Sequence, residues 1–230
     1  MRIAPWGRQT ILWTLVFCAW TGWLLWPTPV FWYCLPILLF LVVFTLAFFR
    51  DPGGRPQGDA HTLIAPASGV VADVETVDAA PFLDGPAVRI GIFLSVFDVH
   101  VNRMPVAARV LWSEHRPGGF LDARDPAAGN HNECMALGLE VDPSVRPGTR
   151  LLLRQISGLI ARRIVCTAAP GDHVNQGQLY GMIRFGSRTE LWLPSNCAHT
   201  LLVSPGQRVR CGVTPLARLE GAGEPASGDE

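Results

Sequence analysis

The 230-residue chain contains no lysine; all 19 of its basic residues are arginine. This excludes an internal aldimine with pyridoxal phosphate and a biotinyl or lipoyl carrier arm, both of which need a lysine amine. Neither sign of charge is in excess, with 19 basic and 19 acidic residues and a formal net charge of zero, so nothing marks a nucleic-acid partner. The six cysteines, Cys18, Cys34, Cys134, Cys166, Cys197 and Cys211, form no C-x-x-C pair. A disulfide framework or zinc cluster is therefore not expected, which fits a reducing compartment. His61, His115, His131, His173 and His199 lack mutual metal-ligand spacing, so no metal is expected.

What the chain does have is an apolar fraction of 49%, concentrated in its first fifty residues. Residues 11–26 and 30–49 are nearly uncharged runs separated by Pro27-Thr28-Pro29. The second is long enough to cross a hydrocarbon core of roughly 30 Å, and the first is marginal. The pattern predicts a helical membrane hairpin over residues 1–50. Arg2 and Arg8 precede it and Arg50 and Arg55 follow it, which places both ends, and the domain beyond, on the cytoplasmic face of the cell membrane. A cleaved signal peptide fits less well, because the apolar stretch is repeated and has no clear small-residue cleavage site. A lipid anchor at Cys18 is disfavoured by the bulk of Phe17 before it.

Residues 51–61 are rich in Pro, Gly and charge, as a linker would be, and a globular domain is expected over residues 62–220. Its apolar segments, 69–74, 87–93, 107–112, 134–141, 150–156, 164–168 and 190–193, are short, rich in Val, Ile and Leu, and bounded by turn residues. They predict strands in a mainly β, sandwich or barrel-like domain, with at most a short turn over residues 96–100. Pro170-Gly171-Asp172-His173-Val174-Asn175-Gln176-Gly177 and Pro205-Gly206-Gln207-Arg208-Val209-Arg210-Cys211-Gly212 share a P-G-x-x-V-x-x-G pattern. In each, the glycines suit turns and the valine suits the core, as in carrier-like hairpins. Residues 221–230 are small, acidic and poor in apolar groups, a composition that predicts a disordered tail.

Gly186-Ser187 is the only Gly-Ser step. Glycine leaves its own carbonyl open to attack by the following hydroxyl. An N-to-O acyl shift, β-elimination and hydrolysis would then cut the chain and leave a pyruvoyl group where serine stood. Alone, such a step is most often an ordinary turn.

Other motifs stand with it in order: Phe48-Phe49-Arg50-Asp51-Pro52, Phe93-Leu94-Ser95-Val96-Phe97-Asp98-Val99-His100-Val101-Asn102-Arg103-Met104-Pro105, Asn132-Glu133, Gln155-Ile156-Ser157-Gly158-Leu159-Ile160-Ala161-Arg162-Arg163-Ile164 and Arg184-Phe185-Gly186-Ser187-Arg188. Together they resemble the short bacterial and archaeal phosphatidylserine decarboxylases over nearly the whole chain before the tail. The resemblance implies a carboxy-lyase that makes phosphatidylethanolamine and carbon dioxide through a Schiff base on a pyruvoyl group derived from Ser187, with no metal or diffusible cofactor. It implies cleavage after Gly186 into a large and a small subunit that stay associated, with phosphatidylserine taken from the membrane. A homo-oligomer is compatible with it.

His100 would move a proton, in self-cleavage or in protonating the decarboxylated product. Asp98, two residues away, would share its face in an extended segment. Arg103, Arg184 and Arg188 would bind phosphate or carboxylate, a structural role being the alternative for each. Asn132-Glu133 either belongs to the site or orders a loop.

One position departs from the family. Where many members enter the first strand through P-A-D-G, with the aspartate implicated in self-processing, this chain has Pro66-Ala67-Ser68-Gly69. A hydroxyl cannot supply the carboxylate's charge. Either Asp98 or Glu133 compensates, or the chain is a processing-deficient, non-catalytic lipid-binding paralogue. A membrane-anchored zinc peptidase is the remaining rival, and it lacks a ligand set.

Overall fold

A computed structural model of the chain describes residues 2–54, 56–125, 127–159, 163–184, 187–197 and 199–220. It divides into two units, residues 1–53 and residues 54–230.

The first unit is the expected hairpin. Strand β1 (Arg2–Ile3) leads into α1 (Arg8–Leu25), and α2 (Val30–Phe48) ends at β2 (Arg50–Asp51). Pro27 and Pro29 cannot continue a helix with a full set of hydrogen bonds, so the chain turns between them; Thr28 closes that turn, its hydroxyl donating to the Leu25 carbonyl at 2.8 Å. The helices pack with the Cys18 thiol against the Leu38 carbonyl. Gly7 sits where any Cβ would overlap the Phe49 ring. Antiparallel pairing of Arg2 with Asp51 brings the two ends of the hairpin together. At 1.5 Å per residue the helices are about 27 and 28 Å long. Only α2, among the described helices, is both long and apolar enough to cross a bilayer.

The second unit is mainly β. Its strands are β3 (Thr62–Ile64), β4 (Gly69–Ala80), β5 (Gly85–Leu94), β6 (Val101–Arg103), β7 (Ala108–Arg116), β8 (Cys134–Val141), β9 (Arg150–Ile156), β10 (Ile164–Cys166), β11 (His173–Val174), β12 (Leu179–Ile183), β13 (Ser187–Pro194), β14 (His199–Leu201), β15 (Arg208–Val209) and β16 (Pro215–Leu219). A single helical turn, α3 (Ala128–His131), precedes β8. An antiparallel sheet in the order β11-β7-β8-β9-β13-β5-β4-β15 curls as a half-barrel. Two three-stranded sheets, β10-β12-β6 and β14-β16-β3, supply Tyr180, Leu63, Leu216 and Leu219 to the core on its inner face, against Ile92, Leu153 and Leu191. The outer face is also covered, by Leu83, Leu152 and Trp192 and by the stacked rings of Phe82 and Trp112.

The two P-G-x-x-V-x-x-G segments form the two edges of the large sheet as β11 and β15, and their bonding is equivalent. Gly171 N–H donates to Val110 O and Gly206 N–H to Val71 O, each at 2.8 Å. Val110 N–H and Val71 N–H return bonds to Asp172 O and Gln207 O. The closing glycines donate to Met104 O and Ala65 O. All four glycines have positive φ, between 71° and 98°, where a side chain is strained. Val174 and Val209 are buried in the core. The repeated motif thus ends the sheet at both sides in two-residue edge strands, which leave little open edge for further pairing.

Several boundaries differ from the sequence expectation. β4 runs six residues past Val74, through Glu75 and Asp78, because the backbone ladder to β5 continues where the side chains are solvated. β13 starts at Ser187, three residues before the apolar signal, since β5 and β9 flank it on both sides. The short strands β3, β6, β12 and β16 have no counterpart among the expected segments; each is held by pairing with distant parts of the chain. The tail over residues 221–230 lies outside the described residues.

Candidate active site

Ser187 is the first residue of β13, opposite Leu94 at the end of β5, and is fully buried. Next to Leu94, the Phe93 carbonyl lies where any Cβ on Gly69 of β4 would strike it. The bare α-carbon of Gly69 is what lets the strand entry at Pro66-Ala67-Ser68 lie so close. Gly186 and Phe185 lie outside the described residues.

His100, also fully buried, accepts a bond at its carbonyl from Ile183 N–H, at the end of β12 that leads toward Ser187. Two residues on, Asn102 donates from its side chain to Thr189 Oγ1 at 3.3 Å. Side chains two apart on a strand share a face. Ser187 therefore shares its face of β13 with Thr189, while His100 lies in the chain just before β6, two residues from Asn102. Gln155, paired with Thr189 on β9, donates to Asn102 Oδ1 at 2.9 Å. His100, Asn102, Gln155, Ser157, Ser187 and Thr189 are each at most 1% exposed, a polar end on an otherwise apolar core. Among the described residues, Ser187 Oγ, Ser157 Oγ and Gln155 Oε1 have no hydrogen-bond partner. Buried orphan groups are costly, of order 1–3 kcal/mol each, and their clustering marks a place built for something else to bind or react.

The three arginines named from the sequence part company. Arg184 leads from β12 toward the site, and its backbone N–H donates to Arg163 O. Burial first, and the Arg163 charge second, lower its pKa. Arg103 alternates away from His100 and Asn102 and donates to the Gly177 carbonyl at 2.7 Å. Arg188 points to the opposite face of β13 from Ser187. Its fork meets both oxygens of Asp73, at 2.6 and 2.7 Å, and its Nε meets Glu190 at 2.8 Å. Burial opposes the Arg188 charge, but bonds and charges from Asp73 and Glu190 outweigh it and raise the pKa. The guanidinium occupies the room left by Gly91, where a Cβ would collide with it.

Asp98 closes a turn, accepting from Ser95 N–H at 2.9 Å and Ser95 Oγ at 2.7 Å, and pairs with Arg208 at 3.4 Å. Glu133 pairs with His115 at 3.0 Å, while Asn132 is fully buried and bonds Leu121 and Ser157. Ser68 accepts the Cys211 N–H at 2.9 Å, and the Cys211 thiol lies against the Pro66 and Val101 carbonyls. Asn102, Gln155, Ser157, Thr189, Arg163 and Cys211 are not singled out by sequence pattern. Asn102, Gln155, Ser157 and Arg163 fall within the ordered motifs, but only long-range pairing brings them toward Ser187.

The family model for phosphatidylserine decarboxylase matches residues 41–217. The chain belongs to the phosphatidylserine decarboxylase family. Among its relatives, the phosphatidylserine decarboxylase proenzyme of Carboxydothermus hydrogenoformans is 45% identical over 192 residues, 83% of this chain and 86% of that protein. The proenzyme of Symbiobacterium thermophilum is 45% identical over 183 residues, covering 80% and 82%. That of Prosthecochloris aestuarii is 39% identical over 218 residues, covering 94% and 97%. This family membership supports a decarboxylase, and the word proenzyme in the relatives' names fits a chain that is processed. Ser187 and His100, two of the residues that the motif resemblance singles out, are both fully buried, and each is two residues from a partner in the Asn102–Thr189 bond.

Proposed function

We propose that this chain decarboxylates phosphatidylserine to phosphatidylethanolamine after cutting itself between Gly186 and Ser187, and that it does so on the cytoplasmic side of the membrane. The observation that carries the reading is Ser187 Oγ, fully buried and without a hydrogen-bond partner among the described residues. A hydroxyl shut off from water and left without a partner is suited to activation as a nucleophile by a base such as His100. The orphaned oxygens of Ser157 and Gln155 beside it fit a small polar group formed from Ser187 and a head group brought to it. Such a pyruvoyl group supplies the ketone that captures the substrate amine and the electron sink for loss of carbon dioxide.

The chain's own residues have narrower tasks. His100 takes the Ser187 hydroxyl proton during cleavage, or returns a proton to the substrate carbon after carboxylate loss. Asn102 and Thr189 fix the spacing of the two strands that carry the pair. Arg184 and Arg163 hold the lipid phosphate, whose charge relieves their mutual repulsion. Burial of the whole group excludes water from the reacting carbon. Asp98 acts through the Ser95–Asp98 turn that sets the chain entering His100, and Arg188 acts through the sheet.

Intact-protein mass tests this directly. The parent should separate into residues 1–186 and a pyruvoyl-blocked 187–230, and borohydride with phosphatidylserine should fix lipid on the smaller piece. Ser187→Ala should stay whole and inactive. An uncut parent, lipid on the larger piece, or full activity in Ser187→Ala would overturn the reading. Ser68 gives the specific ground for the alternative, a lipid-binding paralogue that has lost processing, and an uncut, lipid-retaining parent is its signature.

A further inference from the structure

In the second unit, six large apolar side chains are exposed among the described residues, and four of them, Phe97, Phe120, Leu121 and Leu159, stand on three loops, each of which contributes a residue (Val96, Asp122 or Leu159) to the lining of one hollow. Scattered exposed leucines need no explanation, but a concentration of this kind does. The hollow, about 380 Å³, is lined by Phe93, Val96, Ala123 and Leu159 with Ser95, Asp122 and Arg124.

The loops are built to hold these groups outward. Asp98 N–H donates to Ser95 O at 3.0 Å, and the Asp98 carboxylate binds Ser95 in return, so Val96 and Phe97 occupy the two central positions of a closed turn. Phe97 is 74% exposed there. The buried Asn132 amide bonds the backbone of Leu121 on one loop and of Ser157, two residues before Leu159, on another. One side chain thus fixes two of the three lips. The acidic groups at the rim are matched by arginine: Asp122 with Arg124 at 2.6 Å and Asp98 with Arg208 at 3.4 Å, both guanidinium groups mostly exposed. The rim therefore offers apolar tips and arginines without an unmatched acidic barrier at either pair.

We infer that this rim is a second membrane contact: Phe97, Phe120, Leu121 and Leu159 enter the lipid interface, and the phospholipid is drawn along them from the bilayer toward Ser187. The inference rests on the decarboxylase reading for its substrate. The occupant is a bilayer because the chain that carries the rim also carries α2, which is able to cross one, so the domain is tethered within reach of lipid and a weak apolar contact acts at high effective concentration. Leu94, paired with Ser187, immediately precedes the turn that bears Phe97, so the lip and the reacting residue are neighbours.

The full chain in vesicles of phosphatidylcholine and phosphatidylserine tests this, comparing the parent with Phe97→Ser/Leu159→Ser. Losing two inserted side chains should lower kcat/KM on bilayer phosphatidylserine by about tenfold or more. On a short-chain phosphatidylserine kept monomeric in solution, kcat/KM should stay within about twofold, since neither side chain reaches the reacting atoms. An equal loss on both substrates would overturn the inference. A parent inactive on both would instead sink the decarboxylase reading, and a second measurement then still tests the rim. Phe97→p-benzoylphenylalanine, irradiated in phosphatidylcholine vesicles, should become crosslinked to phospholipid, and the same photophore at exposed Leu202 should not. No lipid at position 97, or as much at 202, would overturn the contact.

Discussion

Arg188 offers a sharp test, because its place beside Ser187 in sequence suggests substrate binding and its place in the fold gives it another task. In the Arg188→Met variant, Asp73 keeps Arg89 at 3.4 Å, and Glu190 keeps Arg154 at 3.1 Å and Trp192 at 2.9 Å. The Glu190 side chain is only 1% exposed. Removing one partner of a buried ion pair costs about 3–5 kcal/mol, and the retained partners put this case near the lower end, at roughly 3 kcal/mol. For a domain of this size that corresponds to a fall in Tm of about 6–12 °C. Thermal unfolding should be followed by circular dichroism on a Ser187→Ala background, so that every variant is compared as an uncut chain. Asp73→Asn, at a carboxylate 21% exposed, should cost less. The double variant should show coupling of about 1–3 kcal/mol, as for residues in one network. An unchanged Tm together with a KM raised about tenfold in the cleaved enzyme would refute the argument, placing the guanidinium on substrate rather than in the sheet.

Three further outcomes are expected. Tyr180 is fully buried, its hydroxyl has no described partner, and burial first, then the Cys166 and Cys211 thiols, raises its pKa well above the usual value. Tyr180→Phe should therefore stabilise the uncut chain by roughly 1 kcal/mol near pH 7, read by urea unfolding. The parent's Tyr180 contribution is fully present below the unfolded tyrosine pKa of about 10 and is lost as pH rises beyond it, because the unfolded state releases the proton first. Tyr180→Phe should remove that loss, and identical alkaline slopes for the two proteins would count against it. For the departure at Ser68, the parent should be cut, with slower cutting in Asp98→Asn or Glu133→Gln by intact mass; an uncut parent restored by Ser68→Asp would show lost processing. Deleting residues 1–50 should weaken membrane retention without abolishing it, since the rim remains. Tags at both ends should report the cytoplasm, and a periplasmic report would contradict the arginine-based topology.

Much of the architecture is legible in the order of the residues. Two apolar runs separated by Pro27 and Pro29 read as a helical hairpin. Short segments rich in β-branched residues between turn residues make the rest mainly β, and the doubled glycine motif marks two turns whose positive φ values the fold requires. These are local signals, carried within a few residues. The strand limits are less legible, because a ladder between paired backbones runs on where side chains give no hydrophobic signal, as in β4 through Glu75 and Asp78.

The site divides in the same way. The motifs around Gly186-Ser187 and His100 name a candidate nucleophile and a proton carrier, since each depends on residue type and near neighbours. Only the tertiary structure decides where the arginines go. Arg188 follows Ser187 directly, yet a strand turns consecutive side chains to opposite faces, and its partner Asp73 lies 115 residues away. Asn102, Gln155 and Ser157 join the site for the same reason: register between strands far apart in the chain sets which side chains share a face. Composition determines the kinds of group available to this protein, whereas long-range pairing determines which of them meet.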